Sequence, residues 1–243
     1  ASSGAAVMEK DPLSHVTPNV LMNTLMLQAS YAARVKKFIF LSSTVVYPLK
    51  NGPISEDDIK SGDLFDKYFC VASMKMFSET LCEMYASKIK KPMKTVVIRV
   101  GNAYGIHDDF NFETSHVIPA LIRRVIERQN PISVWGDGND LKDFLYIEDA
   151  VNGILLATQH IDSFNPVHIA TGESHTIREV LNLLVDIDDF KNAEFDFDLS
   201  KPTMIPKRIF DISKAKQLLN FESQVSLREG LSRTVKWYRE NLL

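Results

Sequence analysis

The feature that most constrains this chain is the alternation of two hydrophobic periods. In "PNVLMNTLMLQASYAARV" the residues Val20, Leu21, Thr24, Leu27 and Tyr31 recur at helical spacing, and the stretch runs directly into the apolar block "KKFIFLSS". "VASMKMFSETLCEMYASKI" repeats the helical spacing with Val71, Met74, Phe77, Leu81 and Met84, then gives way to the β-branched run "KTVVIRV" at 94–100. Neither strand shows polar alternation, which is the pattern of strands covered on both faces. Parallel strands need long crossovers, and the helical stretches have that length. The chain therefore reads as α/β with a parallel sheet.

Downstream the pattern continues with a helix at "VIPALIRRVIERQ", a short strand, a turn at Gly136–Asn139 and a further helix ending near "LLATQ". A short helix "IREVLNLLVDI" precedes the acidic stretch "DIDDFKNAEFDFDLS", read as a solvated face, then a loop "KPTMIPKRIFD" and two last helices. No internal repeat and no low-complexity segment is present.

Composition excludes several function classes. A net charge of −3 over 243 residues supplies no field for a polyphosphate backbone, and no basic stripe is interleaved with aromatics, so no nucleic-acid partner is expected. Cys70 and Cys82 are too far apart for a metal-binding pair, which predicts no metal site and a reduced, cytoplasmic setting. No apolar run approaches 18 residues and "ASSGAAVMEKD" lacks the order of a signal peptide, so no membrane partner is expected either. None of the 10 glycines forms the strand–glycine turn–helix fingerprint that carries a dinucleotide pyrophosphate. The residues alone lead to a ligand-binding α/β domain that reads as a fragment.

Four stretches together carry a resemblance: "FLSSTVVYP" (40–48), Lys75 in its helix, "RVGNAYG" (99–105) and "WGDGNDLKDFLYIEDA" (135–150). With "YGIHDDFNFETSHVIPALIRR" and "PKRIFDISKAKQLLNF", the chain resembles the extended short-chain dehydrogenase/reductase family, NAD-dependent epimerase/dehydratase type, in its GDP-L-fucose synthase-like branch. The resemblance covers nearly the whole chain. It implies a Rossmann-like, doubly wound parallel sheet, truncated at its N-terminus, with a smaller C-terminal substrate-binding domain. Residues 1–112 and 140–173 would form the remaining dinucleotide-binding part, and 113–139 and 174–243 the substrate-binding part.

What the resemblance implies for single residues follows. Ser43 takes the place of the catalytic serine that hydrogen-bonds the reacting sugar oxygen, which a hydroxyl does as donor or acceptor. Lys75 matches the lysine that bonds the nicotinamide ribose, and His116 an acid/base histidine whose ring suits proton transfer near neutral pH. Leu41, Ser42, Ser43, Lys75, Val100, Gly101, Asn102 and Ala103 would meet NAD or NADP. Thr44, Asn102, Arg124, Trp135, Lys142, Lys207 and Arg208 would meet a nucleotide-diphosphate sugar. Lys142 stands where relatives commonly carry arginine, so a point charge replaces a bidentate fork. The helices at 16–33 and 71–88 would pair with a second copy as a homodimer.

Three departures from the family pattern narrow the chemistry. The family's tyrosine lies four residues before the lysine, and here that position is Val71. Tyr68, seven residues before Lys75, is about two helical turns or ~10 Å away. Val45 replaces the cysteine that serves epimerisation, and Thr44-Val45 replaces the acidic pair that serves dehydration. What remains is hydride transfer at a sugar C4 position, as an oxidoreductase or a 4-epimerase. The alternative is a non-catalytic nucleotide-sugar-binding module that has lost its cofactor and its base.

Overall fold

The computed structural model describes residues 11, 13, 15–60, 62–201 and 205–243. In chain order the elements are α1 (Val16–Ala32), β1 (Lys37–Ser43), α2 (Phe69–Ser87), β2 (Lys94–Val100), β3 (Asn102–Tyr104), α3 (Val117–Ile126), β4 (Ile132–Trp135), β5 (Leu141–Lys142) and β6 (Phe144–Tyr146). They continue with α4 (Ile147–His160), β7 (Val167–Ile169), β8 (His175–Thr176), α5 (Ile177–Ile187), β9 (Phe195–Asp198), α6 (Ser213–Leu219) and α7 (Leu227–Leu242). The expected order of helices and strands is present, and the fold class is α/β with parallel strands.

The main sheet has the order β1-β2-β7, all parallel. Its register sets Ser43 opposite Val100 and Val100 opposite Ile169, so the carboxyl ends of the three strands finish side by side. That edge is where open α/β sheets present ligand-binding residues. Val96, Ile98, Val167 and Ile169 pack against Leu145, Ala150 and Ala157 on one face, while Phe40 and Val97 pack with Leu27, Cys82 and Met93 on the other. A separate core gathers α3, α5 and α7 around Ile122, Val125, Leu181, Leu184 and Leu231, with β4 and β9 paired in parallel beside it.

Two expectations from periodicity change. β2 is covered on both faces but β1 is not: Leu41 is 46% exposed, because β1 ends the sheet among the described residues and opens onto a cleft. On α2 the inward stripe is Met74, Ser78 and Cys82 with Glu79, while Phe77 and Met84 face outward. The physical reason is that both polar side chains are paired: Glu79 joins a buried polar network, and Ser78 Oγ donates to the Met74 carbonyl and accepts from Asn23. The acidic stretch is not uniformly solvated either. It contains β9, and Asp188 is buried between Arg128 and Arg239.

The network crosses the face of the sheet. Ser42 Oγ donates to Glu79 Oε1 at 2.5 Å, and Arg99 Nε and Nη2 grip the two oxygens of Glu79 at 3.1 and 2.7 Å. Arg99 Nη1 also donates to the Tyr47 hydroxyl and the Glu56 carbonyl, and Tyr47 Oη meets His168 Nδ1 at 3.1 Å. Buried charges need such pairing. Strands β1, β2 and β7 and helix α2 are thereby tied together just below the sheet's carboxyl edge.

Candidate active site

A cleft of about 510 Å³ opens between α1, α2 and the free side of β1. Phe38 to Leu41 form its apolar wall, and Val71, Lys75 and His116 line it. Lys75 reaches from α2 to donate from Nζ to the Leu41 carbonyl at 2.8 Å, with Nζ 5.0 Å from the centre of the Phe40 ring. Burial draws its pKa below the usual lysine value, against the opposing charge of Glu79. Val71 is one turn earlier on the same face and brings no polar atom. His116 caps the N-terminus of α3 with its backbone and makes no side-chain cap bond.

Ser43 ends β1, and its Oγ accepts from the Val45 amide at 3.3 Å at the start of a short 3-10 turn over Thr44–Val46. Its hydroxyl hydrogen remains available as a donor. Ser42 points the opposite way, as strand alternation requires, and is buried against Glu79. Thr44 is also buried. Across the edge, Gly101 N donates to the Ile169 carbonyl, Asn102 Nδ2 donates to the Asp143 carbonyl at 2.9 Å, and Val100 and Ala103 are half-buried.

A second group gathers beyond the end of β1. Lys142 Nζ donates to Asp140 Oδ2 at 3.1 Å and to the Ile205 carbonyl. Arg208 is buried, and its two terminal nitrogens donate to the Pro48 and Tyr47 carbonyls at 2.8 Å. Burial lowers its guanidinium to about 10 and lowers Lys142 as well. Burial raises the Tyr68 phenol, which lies within the fields of Arg208 and Asp140. Tyr68 thus belongs with Lys142 and Arg208, while Val71, Lys75 and His116 share the other cleft. Lys207 is half-buried beside Leu141. Trp135 is 40% exposed with Lys201 above it, and Arg124 lies 5.0 Å over the Phe112 ring. These two are not in the Lys75 cleft.

Sequence reasoning missed His15, Asn19 and Asn23, which line the cleft from the first helix. Asn23 Nδ2 also donates to Ser78 Oγ at 3.1 Å. A polar residue inside "VLMNTLML" was the available signal. It missed the Glu79–Arg99 pair too, although an arginine inside an otherwise apolar strand cannot be buried without a partner.

The cleft fits the nicotinamide end of a dinucleotide. An apolar wall would take the ring, and the Lys75 donor lining it would take a ribose oxygen, with Ser43 two residues beyond Leu41 at the end of β1. Among the described residues no cluster of His, Cys, Asp and Glu could hold a metal ion, and no helix is long and apolar enough to cross a membrane. Residues 1–171 match the family model described as the NAD dependent epimerase/dehydratase family. The chain belongs to that family. It is 31% identical over 238 residues to a probable GDP-L-fucose synthase 1 of Oryza sativa subsp. japonica, covering 96% of this chain and 71% of that protein. It is 30% identical to the GDP-L-fucose synthase of Escherichia coli, covering 95% and 75%. Among solved structures, a UDP-glucose 4-epimerase of Thermotoga maritima with UDP-glucose superposes with a TM-score of 0.86 at 28% identity, covering all of this chain and 76% of that one. The family is one of nicotinamide-dependent enzymes with the Rossmann architecture, and the parallel sheet of this chain has that form.

Proposed function

We propose that this protein is an NAD(P)-dependent nucleotide-sugar oxidoreductase or epimerase that moves a hydride at the C4 position of an NDP-hexose or related sugar. The observation that carries the reading is the meeting of Lys75 with the end of β1, where Ser43 presents its hydroxyl at the carboxyl edge of a parallel sheet. A bound nicotinamide supplies the hydride acceptor and donor. Ser43 would orient the reacting sugar oxygen, Lys75 would stand at the ribose side, and His116 would face the sugar from the start of α3. Phe38 to Leu41 would exclude water from the ring.

Arg124, Trp135, Lys142 and Lys207 are the side chains we assign to the nucleotide diphosphate and base. Arg208 supports that region by holding the Tyr47–Pro48 backbone. On this reading residues 1–112 and 140–173 carry the cofactor side and 113–139 and 174–243 the sugar side. Two copies would pair through α1 and α2, whose Leu21, Leu25, Phe77 and Met84 side chains are exposed.

The rival reading, a binding module without catalysis, is favoured by Val71 alone. Titration calorimetry of the longest form of the protein with NAD, NADP and a panel of GDP-, UDP- and dTDP-sugars separates them when reduced nicotinamide is followed by absorbance in parallel. Cofactor binding with sugar-dependent reduction supports the enzyme. Sugar-nucleotide binding with neither cofactor binding nor reduction overturns it.

A further inference from the structure

Replacement of the expected phenol by Val71 leaves the cleft without an oxygen acid or base one turn before Lys75. We propose that Lys75, as the neutral amine, is the group in this chain that accepts the proton from the sugar hydroxyl and returns it in the reverse direction. This rests on the oxidoreductase reading above and assigns its proton-transfer step.

The geometry supports it on several counts. Val71 and Lys75 are neighbours on one face of α2 and both line the cleft, so no polar group at 71 stands between the amine and a sugar oxygen. Among the described residues the Leu41 carbonyl is the hydrogen-bond partner of Nζ, and a neutral amine donating there keeps its lone pair for a proton. Leu41 and Ser43 are two residues apart, hence on the same side of β1, and the strand rise puts them about 7 Å apart. Lys75 Nζ is held at the Leu41 carbonyl and Ser43 follows two residues later, so both residues belong to the terminal stretch of β1.

No carboxylate among the described residues lines the cleft. Among the described residues, Glu79 on its own helix acts on Lys75, and His15 ahead of α1 and His116 ahead of α3 line the same cleft. Glu79 is committed to Arg99 and Ser42, so it does not pin the ammonium as an ion pair. Desolvation outweighs the Glu79 field and favours the neutral amine.

A bound nicotinamide would supply the acceptor for the hydride and electron pair of the sugar C–H bond; on the protein's side the sugar O–H bond would break and its proton would move to the Lys75 lone pair as the carbonyl forms. In reduction the ammonium gives that proton to the carbonyl oxygen as the hydride arrives. The step balances with no further reactant.

The test has two arms. Competitive acetylation of the whole protein with acetic anhydride across a pH series, read residue by residue by mass spectrometry, titrates each lysine without any cofactor. Lys75 is expected to reach half-maximal reactivity at lower pH than the exposed Lys191 and Lys236, which stand 78% and 76% open to solvent. The second arm is the pH dependence of kcat for sugar oxidation in the wild type and Lys75→Arg, with circular dichroism to verify folding. The arginine keeps the positive charge and loses the titration. The expected result is a ~10²–10⁴-fold loss in kcat and disappearance of the acidic limb of the profile.

A Lys75 that titrates with Lys191 and Lys236 overturns the proposal, as does a Lys75→Arg enzyme that keeps the acidic limb. In either case a wild type that still transfers hydride leaves the parent reading standing. A wild type that binds sugar nucleotide but transfers no hydride overturns the parent reading, and the proposal falls with it.

Discussion

Removing the Glu79 carboxylate tests the buried network below the active edge. Glu79 and Arg99 are 4% and 3% exposed, and the two hydrogen bonds between them are charge-assisted at 2.7 and 3.1 Å. Glu79→Ala would leave Arg99 with only the neutral Tyr47 hydroxyl and the Glu56 carbonyl as partners, and Ser42 Oγ without its acceptor. An unpaired buried charge of this kind costs about 3–5 kcal/mol. For a chain of this length that corresponds to a fall in Tm of roughly 6–20 °C. Thermal unfolding by circular dichroism and urea unfolding give the two readings. The double variant Glu79→Leu with Arg99→Met removes both charges together and is expected to lose less than Glu79→Ala alone, because no charge is then stranded. A Tm shift below about 2 °C for Glu79→Ala, or losses from separate Glu79→Leu and Arg99→Met variants that simply add in the double variant, would refute the reasoning.

Three further outcomes follow from particular sites. Gly230→Ala would put a Cβ 2.2 Å from the Tyr104 hydroxyl oxygen and 2.9 Å from Tyr146 Cδ2, so a loss of about 1–3 kcal/mol in urea unfolding is expected. Asp143 is fully buried, and burial raises its carboxyl to about 6 although Thr171 and Gly172 donate to it. The folded state therefore binds this proton more tightly than the unfolded chain. Stability should fall as pH rises from the ordinary aspartate value of 3.8 to about 6, by up to roughly 3 kcal/mol, and Asp143→Asn should flatten that window in a series of urea titrations. Leu25→Asp places a charge on the exposed apolar face of α1, and sedimentation velocity is expected to show monomer for the variant and the proposed dimer for the wild type.

The sequence by itself determined the alternation of helices and parallel strands, because the change from a helical period to continuous β-branched runs is local and strong at 16–43 and 71–100. It determined the turn at Gly136 and Gly138 as well, since both glycines adopt positive φ there. It also singled out Ser43, Lys75 and the valine in place of a tyrosine. Tertiary structure decided which face each helix turns inward. A charge such as Glu79 enters the core only where Arg99 and Ser42, distant in sequence, arrive to pair with it. The same holds for Arg208, a basic side chain that the backbone carbonyls of Tyr47 and Pro48 bury, and for Asp188, drawn from an acidic stretch by two arginines. The spacing of seven residues already set Tyr68 apart from Lys75, but only the fold shows that the turn before α2 brings the phenol into the fields of Arg208 and Asp140. Periodicity is a property of neighbours along the chain, whereas the satisfaction of a buried charge depends on partners the chain brings from far away.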